Sequence, residues 1–75
     1  MTGDEIRAAQ FREVRRGGYD TEDVDALIGL LAATADRGEP LAALANGAAF
    51  REARRRGYRP SDVDAFLDRC AGSGP

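Results

Sequence analysis

Histidine does not occur in this chain, cysteine occurs once, and all eleven basic residues are arginine. With no imidazole and a single thiol, one chain cannot assemble a zinc or iron site from the usual nitrogen and sulfur ligands. No internal disulfide can form around Cys70, and no neighbouring base is present to activate it as a nucleophile. Cys70 therefore reads as a small buried hydrophobe. No apolar run reaches membrane-span length, and no secretory leader pattern is seen, so the chain is expected to be cytoplasmic. A phosphate-cradling glycine motif is also missing, because Gly17-Gly18 is too short and follows no strand. These absences point to a non-enzymatic protein with no cofactor and no bound metal. At 75 residues the chain is expected to be a single domain over 1–75, with a modest core and marginal stability.

What the chain does contain is a repeat. Phe11-Arg-Glu-Val-Arg-Arg-Gly-Gly-Tyr19 returns 39 residues later as Phe50-Arg-Glu-Ala-Arg-Arg-Arg-Gly-Tyr58, and the likeness continues through Asp23-Val-Asp-Ala26 and Asp62-Val-Asp-Ala65. Aligned from Phe11/Phe50 to Ala32/Ala71 without a gap, 12 of 22 positions are identical. An internal repeat signals a duplicated structural unit, each copy burying an apolar face that it cannot cover alone. The copies are taken as residues 2–38 and 39–72, with a disordered tail over 72–75.

Within copy one, Thr2 and Glu5 have the capping-box spacing, and a short helix should run to about Gln10. On a continued helix Phe11 would lie about 140° from Ile6, so Phe11 to Arg16 is expected to be extended or irregular. A glycine precedes the tyrosine in both copies, which suggests positive φ or a close backbone approach at Gly18 and Gly57. Asp20 is the expected N-cap of a second helix over 21–36. Tyr19 and Val24 are placed to form a hydrophobic staple, as are Tyr58 and Val63 in copy two. Val24, Leu27, Ile28, Leu31 and Ala35 follow helical spacing on one stripe. Glu22, Asp23 and Asp25 read as anions at the positive end of that helix, and Gly38 closes it. In copy two a short helix is expected over about 40–45, with Pro40 at its first position, followed by a break at Asn46-Gly47. A fourth helix should start near Pro60, weakly capped by Arg59, with Val63, Phe66, Leu67 and Cys70 as its stripe.

The motif Phe-x6-Gly-Tyr-x3-acid-Val-Asp, followed by hydrophobic residues, resembles the N-terminal motif of DivIVA, a bacterial scaffold of cell division and polar growth. Gly57-Tyr58 with Asp62-Val-Asp-Ala-Phe-Leu67 is the closer copy. The tandem form resembles small actinobacterial proteins that carry the motif as a repeat. The resemblance covers about two-thirds of the chain and implies helical packing of the motif. It also implies pairing of two modules, which a chain with two copies could satisfy internally or with a second chain. In that family an aromatic and an arginine in the loop before Gly-Tyr enter membranes. The aligned positions here are Arg16-Gly17 and Arg55-Arg56, and neither copy has the aromatic. The family's long coiled coil also has no counterpart.

The fold expected from these readings is all-α. Two tandem short-helix/loop/helix repeats would pack about a pseudo-two-fold, giving four helices and little or no sheet. The packing stripe would be Tyr19, Val24, Leu27, Ile28 and Leu31 against Tyr58, Val63, Phe66, Leu67 and Cys70. Arg12, Arg15, Arg16, Arg51, Arg54, Arg55 and Arg56 form two basic segments, each followed by acids. They are candidate interaction residues, with three alternatives open. They could be solvated or paired with Glu13, Glu52 and the acids that follow each segment (Asp20, Glu22, Asp23 and Asp25, then Asp62 and Asp64), face a protein partner with an acidic patch, or contact an anionic membrane surface peripherally. Nucleic acid is disfavoured by the net charge of −2, the interleaved acids and the lack of a stacking platform.

Overall fold

A computed structural model of the chain describes residues 1–72. Along it run α1 (Gly3–Arg7), β1 (Glu13–Val14), α2 (Thr21–Asp36), α3 (Ala42–Asn46), β2 (Gly57–Tyr58) and α4 (Pro60–Gly72). The protein is mostly helical, and β1 and β2 add one small antiparallel sheet, with Glu13 opposite Tyr58 and Val14 opposite Gly57. Single bridges extend this pairing from Tyr19 to Glu52 and from Tyr19 to Tyr58. Residues 73–75 of the expected tail lie outside the described residues, whereas Gly72 is the last residue of α4.

Local chemistry accounts for most of the boundaries. The Thr2 hydroxyl accepts from the Glu5 amide at 3.2 Å, satisfying one of the donors that a helix start leaves open. Helix α1 nevertheless stops at Arg7 rather than Gln10, with Ala8 as its C-cap. Asp20 caps α2 by accepting from the Asp23 amide at 3.1 Å. At the other end Gly38 takes φ +71°, its amide donates to Ala35, and the Glu39 amide donates back to Thr34. That is the Schellman closure, which needs a residue able to enter the left-handed region without a Cβ penalty. Helix α3 starts at Ala42, two residues later than a proline at the first helical position suggests. Leu41 is instead anchored in the core at 6% exposure and serves as a cap with no side-chain bond.

One hydrophobic cluster joins the two halves. Ile6, Val24, Leu31, Ala32, Leu41, Ala45, Val63, Phe66, Leu67 and Cys70 are its buried members, and Tyr19, Leu27, Ile28 and Tyr58 are among the half-buried residues packed against it. All ten residues of the expected stripe belong to this core or its margin, but the expected packing of the α2 stripe directly on the α4 stripe is not among the principal contacts, because the short helices and the crossing lie against those faces instead. The largest helix contacts are α1 on α2 and α3 on α4, so each long helix is flanked by the short helix of its own half. Cys70 is fully buried with its Sγ 3.7 Å from Met1 Sδ, and burial pushes its thiol pKa up, a packing environment rather than a nucleophile's.

Candidate functional site

The two halves are tied together at a backbone crossing. Tyr19 and Tyr58 exchange both amide-to-carbonyl bonds, at 2.9 and 3.0 Å. The Asp20 amide donates to Arg51 at 2.8 Å, the Arg59 amide to Arg12 at 2.7 Å, and the Ala53 amide to Gly18 at 2.8 Å. Gly18 and Gly57 sit where the chains touch. A Cβ on Gly18 would fall 2.7 Å from the Gly57 carbonyl carbon, and one on Gly57 would fall 2.6 Å from the Tyr19 oxygen. The close approach expected of these glycines is present, while the positive φ falls on Gly17 instead, at +71°.

Side chains cross with the backbone. The Arg12 amide and Nε both donate to Asp62 Oδ2, at 3.0 and 3.2 Å, while its terminal nitrogen reaches Oδ1 at 3.4 Å. Arg51 treats Asp23 the same way, with its amide at 3.0 Å and its guanidinium at 3.1 Å from each oxygen. These forks hold both carboxyl groups below the usual aspartate range, chiefly through the guanidinium hydrogen bonds. The Tyr19 hydroxyl donates to Asp64 at 2.9 Å and the Tyr58 hydroxyl to Asp25 at 2.8 Å. Both phenols are raised in pKa, Tyr19 mainly by its hydrogen bond and Tyr58 mainly by burial. Tyr19 also lies on Phe50 at 5.0 Å, and Phe11 meets Tyr58 and Phe66 edge-on at 5.4 and 5.6 Å. The tyrosines, expected to staple their own helices, make these ring and hydroxyl contacts with the opposite half.

Of the alternatives open for the basic segments, pairing with an acid holds for Arg12 and Arg51, each of which grips an aspartate across the crossing. Asp23 and Asp25, read as anions at a helix start, also receive bonds from the opposite half, as do Asp62 and Asp64. A signal for this was present in the sequence. These four positions, with Arg12/Arg51 and Tyr19/Tyr58, are identical in the two copies, whereas the capping position differs as Asp20 against Arg59.

The remaining basic residues behave differently. Arg15 and Arg16 sit on the loop between β1 and the crossing, and Arg54, Arg55 and Arg56 on the loop before β2. The crossing sets these loops side by side, so that the five guanidinium groups line one open cleft of about 640 Å³. All five residues are exposed. Among the described residues none of the five has an ion-pair or hydrogen-bond partner, whereas Arg7, Arg12, Arg37 and Arg51 each hold an acid. Glu13 lines an adjoining dimple together with Arg15 and Arg56.

Among the described residues no cluster of three or more metal-ligating side chains forms, and no helix is long and apolar enough to cross a membrane. No family model, curated protein or solved structure matches the chain.

Proposed function

We propose that this chain is a non-enzymatic interaction module of the DivIVA type, in which two copies of one motif pair about an internal pseudo-two-fold and offer a shared basic cleft to an acidic protein partner. Internal pairing is supported by the offset of the contacts. Arg12 to Asp62 and Arg51 to Asp23 exchange partners at 39 residues, as do Tyr19 to Asp64 and Tyr58 to Asp25. The Phe11–Tyr58 and Phe50–Tyr19 ring pairs follow the same rule. Most of these residues belong to the motif on which the family resemblance rests, and that resemblance is what suggests a role at division or growth sites. Sedimentation equilibrium separates internal pairing, which leaves an 8.0 kDa monomer, from pairing between chains.

The observation that carries the binding role is the set of five arginines that line one cleft with no ion-pair partner among the described residues. Of the other six arginines, Arg7, Arg12, Arg37 and Arg51 each hold a carboxylate, and Arg59 and Arg69, likewise without one, do not line the cleft. Fixed positive charges of this kind steer and orient an acidic surface more than they add raw affinity. The test is a titration of the labelled chain with a glutamate-rich peptide at low salt. Amide shifts should centre on residues 15–16 and 54–56 and vanish when Arg15, Arg16, Arg54 and Arg55 are changed to Glu. Shifts scattered over the surface, or none at all, would remove the reading.

An anionic membrane surface is the second reading, favoured by the same unpaired guanidinium groups, since basic residues near such a surface gain about 1 kcal/mol each. The loops hold no aromatic anchor. Salt-sensitive sedimentation with anionic but not neutral vesicles would support it, and failure to sediment with either would end it.

A further inference from the structure

We infer that the five-arginine cleft also takes a compact oligophosphate anion, which competes with the acidic partner and so regulates access to this surface. The inference rests on the cleft being the interaction surface, and it adds the chemistry of a second, smaller ligand.

Three features point to phosphate. The guanidinium group presents a planar fork of donors that matches phosphate oxygens two at a time, and it gives up its hydration more readily than an ammonium. Every cation in the cleft is of this kind, and none is spent on a protein acid among the described residues. Second, the cleft is open and is lined by arginines of both loops, so it offers more donors than one isolated phosphate group can meet. An anion with several linked phosphates can meet arginines from both loops at once. Third, the loops are short and anchored at both ends. The segments flanking them are held by the bonds from Arg59 to Arg12, Ala53 to Gly18 and Tyr19 to Tyr58. Little backbone has to be ordered when a ligand arrives, which removes part of the usual cost of binding. A small dense anion exploits that arrangement better than a flexible acidic peptide, whose carboxylates are spread along a chain that must itself be immobilised.

The experiment uses inorganic tripolyphosphate as the probe on the full chain at low salt. Calorimetry should show saturable one-to-one binding that weakens with added salt, as screening requires. Tripolyphosphate should also raise the melting midpoint, because a ligand that binds only the folded state stabilises it by mass action. Arg15→Gln with Arg55→Gln should weaken binding roughly tenfold or more, the loss of a charge-assisted hydrogen bond in an exposed site. Arg69→Gln, outside the cleft, should leave it unchanged. Tripolyphosphate should displace the glutamate-rich peptide. If the peptide binds at the cleft while tripolyphosphate neither binds nor displaces it, the inference fails and the proposed interaction surface stands. Binding that Arg69→Gln weakens as much as the cleft variants also overturns the inference, showing nonspecific charge attraction. If neither probe binds, both fall. Anionic phosphatidylglycerol vesicles that capture the chain without being displaced by tripolyphosphate would assign the arginines to a lipid surface and likewise end the proposal.

Discussion

Two grooves flank the crossing, and all nine lining residues of the first have a counterpart at an offset of 39 in the second, which adds Ala43. The first, about 500 Å³, has Phe11 and Phe66 on its walls with Glu5, Gln10 and Arg69 around them. The second, about 430 Å³, puts Phe50 and Leu27 in those places and Leu44, Ala49 and Leu30 around them. The walls kept their apolar character because they border the shared core, where a polar group without a partner is costly. The rims are free of that constraint and have diverged, one charged and one apolar. Leu30, 57% exposed, is the large hydrophobic residue standing most in the open. Within these two grooves, then, the positions against the core keep their apolar character while the rim positions differ in charge.

The strongest way to break this equivalence is a buried charge. Phe66 is buried while its counterpart Leu27 is only half-buried. Phe66→Asp should unfold the domain, since about 0.05–0.15 kcal/mol per residue leaves a chain this short little stability to lose. Leu27→Asp should cost less and leave a folded protein at room temperature. Chemical denaturation monitored by circular dichroism checks both, and equal losses would show that the two stripes are equally deep.

Next comes the glycine crossing. Gly57→Ala and Gly18→Ala each force a Cβ into backbone, and each should destabilise by about 1–3 kcal/mol, as overpacking does. Similar losses from the two would fit one shared contact seen from both sides. A neutral result at either would show that the chains part there without cost.

A smaller effect is expected from the forks, read through pH. Asp23 and Asp62 are lowered in pKa by Arg51 and Arg12. Their contribution is present above the ordinary aspartate value and is lost as pH falls through the lower folded-state value. Asp23→Asn and Asp62→Asn should each flatten the acid side of the stability profile by a similar amount, and the double variant should flatten it further. The tyrosines act with the opposite sign. Their raised pKa values stabilise the fold below the ordinary tyrosine value, and that contribution is lost as pH rises through the folded-state values. Tyr19→Phe and Tyr58→Phe should remove it, as a melting series through the alkaline range would show.

The smallest change should come from Leu30→Arg, which copies the residue at the equivalent position, Arg69. An exposed rim position away from special contacts usually shifts stability by less than about 0.5 kcal/mol. A larger loss in thermal melting would mean that Leu30 packs more than its exposure indicates.

Helices were the part of this fold most legible in the sequence, because cap residues and apolar spacing act over a few positions. The bounds of α2 coincide with the expected ones, as Asp20 and Gly38 mark both ends with local hydrogen bonds. The strands were not legible. At two residues each, they are too short to show the alternation that identifies a strand, and their pairing joins residues far apart in the chain. The sequence left the arginines unsorted for a related reason. Arg12 and Arg15 look alike in sequence, and only the position of Asp62 distinguishes the one that is held from the one that is not.

By itself, the sequence determined the repeated motif, the limits of α2 and the apolar stripes, all of which follow from chain-local geometry and from counting. Only the tertiary structure decided which half each arginine and tyrosine would grip, and that the two basic loops would share one cleft. Those outcomes depend on two glycine backbones meeting in space, and no local preference of either segment encodes that meeting.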